Sequence, residues 1–211
     1  MARLRFYMAR ASGDEARLQG WSVPEPDVLR ALAGRRVAVV GNARSLAAGD
    51  FGAAIDAHDL VIRVNAAPLP SARSHGLRTD WIGLSIPVAA EVLAERSPDL
   101  TLWMTPKRKR LPLALFRRGR VFVNPVARNA ALAAELGARP TTGLMLIDLC
   151  LRAGAETDLY GFDFFETKSL SGQRSAAQVP HDFAAERAWV MARLGPGLRL
   201  NGAGQGAGQD A

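Results

Sequence analysis

The sequence predicts an α/β fold: one Rossmann-like domain with a mostly parallel sheet flanked by helices. Three observations predict it. Short apolar runs rich in β-branched residues recur along the chain, helix-length segments separate them, and glycine or asparagine follows several of the runs directly.

In chain order, residues 1–20 read as a helical, basic N-terminal arm. Trp21 to Pro26 is a turn-rich joint that opens the main domain, residues 21–200. Pro26 to Leu32 reads as a short helix stopped at Gly34. Arg36-Val37-Ala38-Val39-Val40-Gly41 is almost wholly apolar, and its β-branched residues predict a buried parallel strand. Asp59 to Val64 is a second such strand, Leu100 to Met104 a third, Arg120 to Val123 a fourth and Thr157 to Gly161 a fifth. Helices are expected over 88–96, 127–136, 142–152 and 182–194. The third is apolar on several faces and should be well buried. The Gly-rich end, residues 201–211, is expected to be disordered.

Composition narrows the function classes. A chain of 211 residues suits one domain, and its 48% hydrophobic and 22% charged residues are ordinary for a globular protein. The net charge of +7 favours anionic partners, whether nucleotide, nucleic acid or an anionic membrane surface. The single cysteine, Cys150, excludes an internal disulfide, lies in an apolar run and reads as a buried structural thiol. The three histidines are scattered and no Cys/His spacing suits zinc, so no metal and no resident cofactor is expected. Met1 to Arg10 interleaves Arg3, Arg5 and Arg10 with apolar residues, unlike a signal peptide, and no apolar run reaches membrane-spanning length. The expected place is cytoplasmic, with a peripheral position at the inner membrane left open.

Three stretches carry chemistry. The strand ending in Gly41-Asn42 puts a permissive glycine and a two-way hydrogen-bonding amide at a carboxyl strand end, where open α/β sheets bind ligands. The second strand likewise delivers Asn65. Such a pair can hold a phosphate and a ribose or base; alternatively both cap turns. The G-x-G-x-x-G and P-loop patterns are absent from the Gly41 turn. His58, between carboxylates in Ile55-Asp56-Ala57-His58-Asp59, reads as a structural loop histidine.

Pro140-Thr141-Thr142-Gly143 leads into a helix. Free backbone N–H groups, hydroxyls and the positive helix end there suit an anion; an ordinary threonine cap is the alternative. His181 stands at the mouth of the last helix, where a low pKa would keep it neutral as a general base requires. Glu186, about one turn on, is placed to orient the ring or fix the helix start. The Lys107-Arg108-Lys109-Arg110 run, with Arg117, Arg118 and Arg120, is either a solvated loop or an edge that meets an anionic ligand, membrane or nucleic acid.

Taken in series these stretches resemble glycosyltransferase family 29, the sialyltransferases. Val37 to Pro68 is similar to the family's large motif, Pro140 to Phe162 to its small motif, and His181 to Glu186 to the very small one. The resemblance implies the glycosyltransferase A-type variant of sialyltransferases. It implies a metal-independent, inverting enzyme that moves sialic acid or a related nonulosonic sugar from a CMP-linked donor to the hydroxyl of a glycan or lipid-linked glycan. In that reading His181 is the catalytic base. Gly41, Asn42, Asn65, Thr141, Thr142 and Gly143 bind the donor, with Glu186 and Tyr160 supporting.

The sites of paired cysteines in animal members correspond to Val37 and Gly154 here, as suits a reducing compartment. The family's short third motif, rich in His and Tyr, has no counterpart between Phe165 and Val179, where Lys168 or Arg174 would have to substitute. Two other functions stand beside the transferase: a CMP-binding module without turnover, and a basic nucleic-acid-binding protein. The second is disfavoured because only Phe116 interleaves the basic run.

Overall fold

The computed structural model describes residues 2–66, 68–164 and 181–202. Seven strands form one sheet in the order β5-β4-β3-β2-β1-β6-β7, and every adjacent pair is parallel. They are β1 (Arg36–Val40), β2 (Leu60–Val64), β3 (Trp81–Leu84), β4 (Leu100–Trp103), β5 (Arg120–Val123), β6 (Glu156–Tyr160) and β7 (Leu198–Asn201). The order reverses between β1 and β6. Open α/β sheets commonly bind ligands outside the carboxyl ends of the strands near such a reversal.

Ten helices join the described strands: α1 (Ala2–Ser12), α2 (Glu15–Gln19), α3 (Glu25–Leu32), α4 (Gly52–Asp56), α5 (Ala72–His75), α6 (Ala90–Arg96), α7 (Leu113–Arg118), α8 (Val126–Leu136), α9 (Thr142–Arg152) and α10 (Phe183–Met191). Because side chains alternate along each strand, the sheet has two apolar faces. Val37, Val39, Ile62, Leu102 and Phe122 face the cluster that α3, α8, α9 and α10 complete with Leu32, Leu132, Leu146 and Val190. On the other face, Ala38, Val40, Val61 and Tyr160 pack with Leu46 and Ile55. Ile82, Leu84, Trp103 and Val123 pack with Phe6, Leu18, Leu111 and Leu115.

The expected fold class holds, with two strands more than the sequence showed. β3 and β7 are short, and neither is a pure apolar run: Gly83 interrupts β3, and Arg199 stands inside β7. Gly83 is required by packing, since a Cβ there would meet Leu146 of α9 at 2.5 Å. The helices expected to start at 88 and 182 begin at Ala90 and Phe183, after Ala89 and Asp182 as caps.

The first twenty residues are not a loose arm. Phe6, Ala9 and Leu18 are fully buried, and Phe6 meets Trp21 and Phe116 edge-on. The Gln19 side chain donates to the Val123 carbonyl at 2.9 Å, and the Val23 N–H donates to that of Val121 at 2.7 Å. The reason is amphipathy: Phe6 and Ala9 share one face of α1, Arg3 and Arg5 face outward, and the half-buried Arg10 donates to the Leu111 carbonyl at 3.2 Å. Of the expected Gly-rich end, residues 203–211 lie outside the described residues, as do Lys168 and Arg174.

Candidate active site

The carboxyl end of β1 and the start of α9 meet around one aromatic ring. A Cβ on Gly41 would collide with the Gly161 carbonyl and approach Phe162 at 3.1 Å, and a Cβ on Gly143 would approach the same Phe162 ring at 2.6 Å. Two loops that are distant in sequence can therefore close on Phe162 only because both present glycine. The Gly41 N–H donates to the Tyr160 carbonyl at 2.7 Å, which extends the β1–β6 ladder one residue beyond the strand and sets Asn42 at its rim. Asn42 is half-buried there.

Asn65 closes β2 in the left-handed region, φ 53°, which asparagine tolerates better than most residues. Its N–H donates to the Gly83 carbonyl at 2.7 Å, and its Oδ1 accepts from the Ser85 N–H at 3.2 Å. Ser85 in turn shares a 2.7 Å hydroxyl hydrogen bond with Thr142. Asn65, Ser85 and Thr142 thus form a continuous polar seam from the end of β2 to the start of α9.

Thr141 caps α9, its hydroxyl accepting from the Leu144 N–H at 3.1 Å. Both the N–H and the hydroxyl of Thr141 donate to Glu186, at 2.6 and 2.8 Å. Glu186 therefore fixes a helix start, but that of α9 rather than its own, and it does not touch the imidazole. Burial pushes its carboxyl up to about 7, against the opposing pull of the two Thr141 hydrogen bonds. Asp182 caps α10 through a 2.9 Å bond from the Ala185 N–H.

His181 sits just before α10, and its Nδ1 lies 2.9 Å from the Arg139 carbonyl. A carbonyl only accepts, so Nδ1 carries the proton and Nε2 is left with its lone pair. Burial lowers the imidazole pKa, and the charges of Arg139 and Lys107 lower it further. The ring is thus a neutral imidazole of fixed tautomer, the form a general base needs.

His181 and Thr142 line one cleft of about 340 Å³, together with Ser85, Thr105, Pro106, Arg139 and Met145 and the α8 residues Val126, Asn129, Ala130 and Ala133. The structure thus brings Thr142 and His181 to a common cavity, tied to Asn65 through Ser85. Gly41, Asn42, Thr141 and Gly143 are not part of its lining; Thr141 and Gly143 flank Thr142 in the chain, and Gly41 shares the Phe162 ring with Gly143.

Tyr160 is not brought there: its side chain packs on the opposite sheet face against Phe51 and His58, and burial raises its phenol to about 12. Its service to the site is the backbone carbonyl that holds Gly41. Sequence reasoning passed over Ser85, Asn129 and Arg139. A polar residue directly after a strand was the available signal for Ser85, but β3 itself went unread. Nothing in an otherwise Ala-rich helix marks Asn129.

Other motif residues are structural. His58 bridges to Asp158 at 3.0 Å and to the Ala54 carbonyl at 2.8 Å; Arg199 and Asn201 also bind Asp158. Arg108, in the middle of the basic run, is buried and donates twice to Glu15, at 2.9 and 2.6 Å. Cys150 is fully buried, which pushes its thiol up to about 12. Among the described residues, no three His, Cys, Asp or Glu side chains gather as a metal site. No described helix is long and apolar enough to cross a membrane.

Residues 21–109 match the family model of glycosyltransferase family 29 (sialyltransferase). Over that stretch the chain is similar to that family. A crystal structure of a mammalian sialyltransferase superposes with a TM-score of 0.59 at 19% identity, covering 84% of this chain and 78% of that one. A mammalian sialyltransferase in complex with Gal-beta-1-3GalNAc-ortho-nitrophenol superposes with a TM-score of 0.57 at 20% identity and the same coverage. These likenesses establish that the chain shares their fold. Comparison with curated proteins returns no match.

Proposed function

We propose that this chain transfers sialic acid or a related nonulosonic sugar from a CMP-linked donor to a glycan hydroxyl, inverting the anomeric centre without a metal. One observation carries the reading: a neutral histidine of fixed tautomer shares a cleft with the N-terminus of α9, and a hydrogen-bonded seam ties that cleft to the asparagine ending β2. Gly41, Asn42 and Asn65 are assigned the CMP moiety. Thr141 and Glu186 hold the start of α9 so that the Thr142 and Gly143 N–H groups meet the donor's negative charge.

In the chemical step, His181 Nε2 takes the proton of the acceptor hydroxyl as its oxygen bonds to the anomeric carbon. The bond from that carbon to the phosphate oxygen breaks on the opposite face, and CMP leaves with the electron pair. Charge on the departing phosphate is met by the free N–H groups at the start of α9.

Incubation with a panel of CMP-sugars, scored by released CMP, tests the reading. Release with a CMP-nonulosonate, and its loss in His181→Ala, is expected. Thermal stabilisation by CMP without release from any donor would replace the transferase by a binding module. The nucleic-acid alternative is not favoured, because the centre of the basic run is spent on Glu15. We also place the chain at an anionic membrane surface, because α1 exposes Leu4, Tyr7 and Met8 beside Arg3 and Arg5.

A further inference from the structure

Of the donor-side residues, Thr142 lines the cleft; the rest of the lining, the α8 wall with Arg139 and Pro106, has a chemistry of its own. Val126, Ala130 and Ala133 make it apolar, and Asn129 is the polar side chain that α8 contributes to it. Asn129 is 5% exposed, and its Nδ2 donates to the Met104 carbonyl at 2.9 Å, which fixes the amide orientation. The amide oxygen then has no hydrogen-bond partner among the described residues. Leaving a buried acceptor unmatched costs about 1–3 kcal/mol, and in a cleft the group that removes this cost is a donor on a ligand. An apolar surface with one orienting acceptor suits the ring face and a hydroxyl of a sugar.

The rim adds charge. Arg108, Arg128 and Arg193 nearby each hold a carboxylate: Glu15, Glu25 and Glu135. Arg139, which lines the cleft, and Lys107, which follows Pro106, are exposed and form no ion pair among the described residues. These two cations lie close enough that the Arg139 charge, first among the causes, holds the Lys107 ammonium below its ordinary value. Two unneutralised cations beside one another, next to the imidazole that must meet the acceptor, mark a place for an anion.

We propose that the α8 wall is the acceptor subsite and that it selects an anionic glycan: a carboxylate or phosphate on the acceptor sits between Arg139 and Lys107, and Asn129 accepts from a hydroxyl of the same sugar. This rests on the transferase reading above and names its acceptor class.

The test offers the protein, with the CMP-sugar found by released CMP, a set of oligosaccharides. Neutral members are paired with uronate-bearing, phosphate-bearing and sialylated members, and transfer is followed by mass. Transfer to anionic members with at least a tenfold preference over their neutral partners is expected. Arg139→Gln and Lys107→Gln should each raise KM for anionic acceptors about tenfold, the order for a charge-assisted hydrogen bond, so that the preference for anionic over neutral acceptors falls with it. Asn129→Ala should raise KM for both kinds together.

Equal use of neutral and anionic partners, or transfer to none of the anionic set, overturns the inference. So does a rise in donor KM in Arg139→Gln with the acceptor preference intact, which would give these cations to the donor. All three leave the transferase reading standing. That reading fails separately, if no CMP-sugar releases CMP and CMP gives no thermal shift.

Discussion

Nδ1 of His181 and the carbonyl oxygen of Arg139 stand 2.9 Å apart, and this one bond decides which face of the imidazole can accept a proton. It also makes the loop before α9 and the loop before α10 a single unit. His181→Ala is therefore expected to lower kcat by about 10²–10⁴-fold, the range for loss of a general base, with thermal stabilisation by CMP retained. Unchanged kcat would take His181 out of the chemical step.

The acid limb of kcat/KM follows from the same residue. Burial and the neighbouring cations lower the imidazole pKa, so the base stays neutral until the pH falls below its ordinary value of 6.5. Activity should be flat around neutrality and fall only on the acid side of that value. Arg139→Gln, which removes one of the two cations, should move the limb upward. A limb that stays in place would assign it to another group.

Glu186 gives a stability signature with the opposite sense to an ordinary carboxylate. Its folded pKa is raised to about 7 from 4.5. Between those values the unfolded chain binds fewer protons than the folded one, so stability falls as pH rises through that window. A fall on the order of 2 kcal/mol is expected, read as the urea midpoint against pH. Glu186→Gln should flatten the curve while keeping an acceptor for the Thr141 N–H. A curve that keeps its slope in this variant would place the titration elsewhere.

Two glycines beside Phe162 should respond differently. Alanine at 41 meets the Gly161 backbone, which cannot give way without parting β1 from β6, whereas alanine at 143 meets only the Phe162 ring. Gly41→Ala should cost about 2–3 kcal/mol more than Gly143→Ala and lose CMP stabilisation at temperatures where both variants are folded. Equal costs would mean the β1–β6 gap is softer than its geometry implies.

Asp158 anchors His58, Arg199 and Asn201 away from the cleft. Asp158→Ala should cost about 3 kcal/mol, since it strands a buried imidazole and a guanidinium, while kcat per folded molecule stays the same. A kcat loss larger than the unfolded fraction would tie this network to the site.

Much of this could be read from residues alone, for a physical reason. β1, β2, β4 and β5 are largely buried on both faces, so each is a mostly apolar run, and β6, though it carries Glu156, Thr157 and Asp158, is marked by the Gly161 that closes it. β3 and β7 escape notice because Gly83 is shaped by Leu146 across the layer and Arg199 is there for Asp158, both tertiary facts. The site divides the same way. Asn42, Asn65, Thr142 and His181 are polar residues at strand or helix ends, which local pattern exposes. The partner that Glu186 chooses is 45 residues away, and that Asn129 lines the cleft depends on how α8 lies against β4.

Placement at a membrane surface has a direct check. Sedimentation with vesicles containing phosphatidylglycerol should retain the protein at low salt and release it as salt rises. Arg3→Gln with Arg5→Gln should weaken retention without changing the melting temperature, both side chains being exposed. Equal retention on neutral vesicles would remove the electrostatic part of the proposal.

The packing of α1 and α2 carries a consequence for synthesis. Gln19 leaves the ribosome 104 residues ahead of its partner carbonyl on Val123. Phe6 likewise waits for Phe116. Until β5 emerges, α1 and α2 lack part of the apolar surface they rest on, and closing so long a loop is slow. A nascent chain arrested before that point should offer Phe6 and Leu18 to chaperones, and one arrested after it should not.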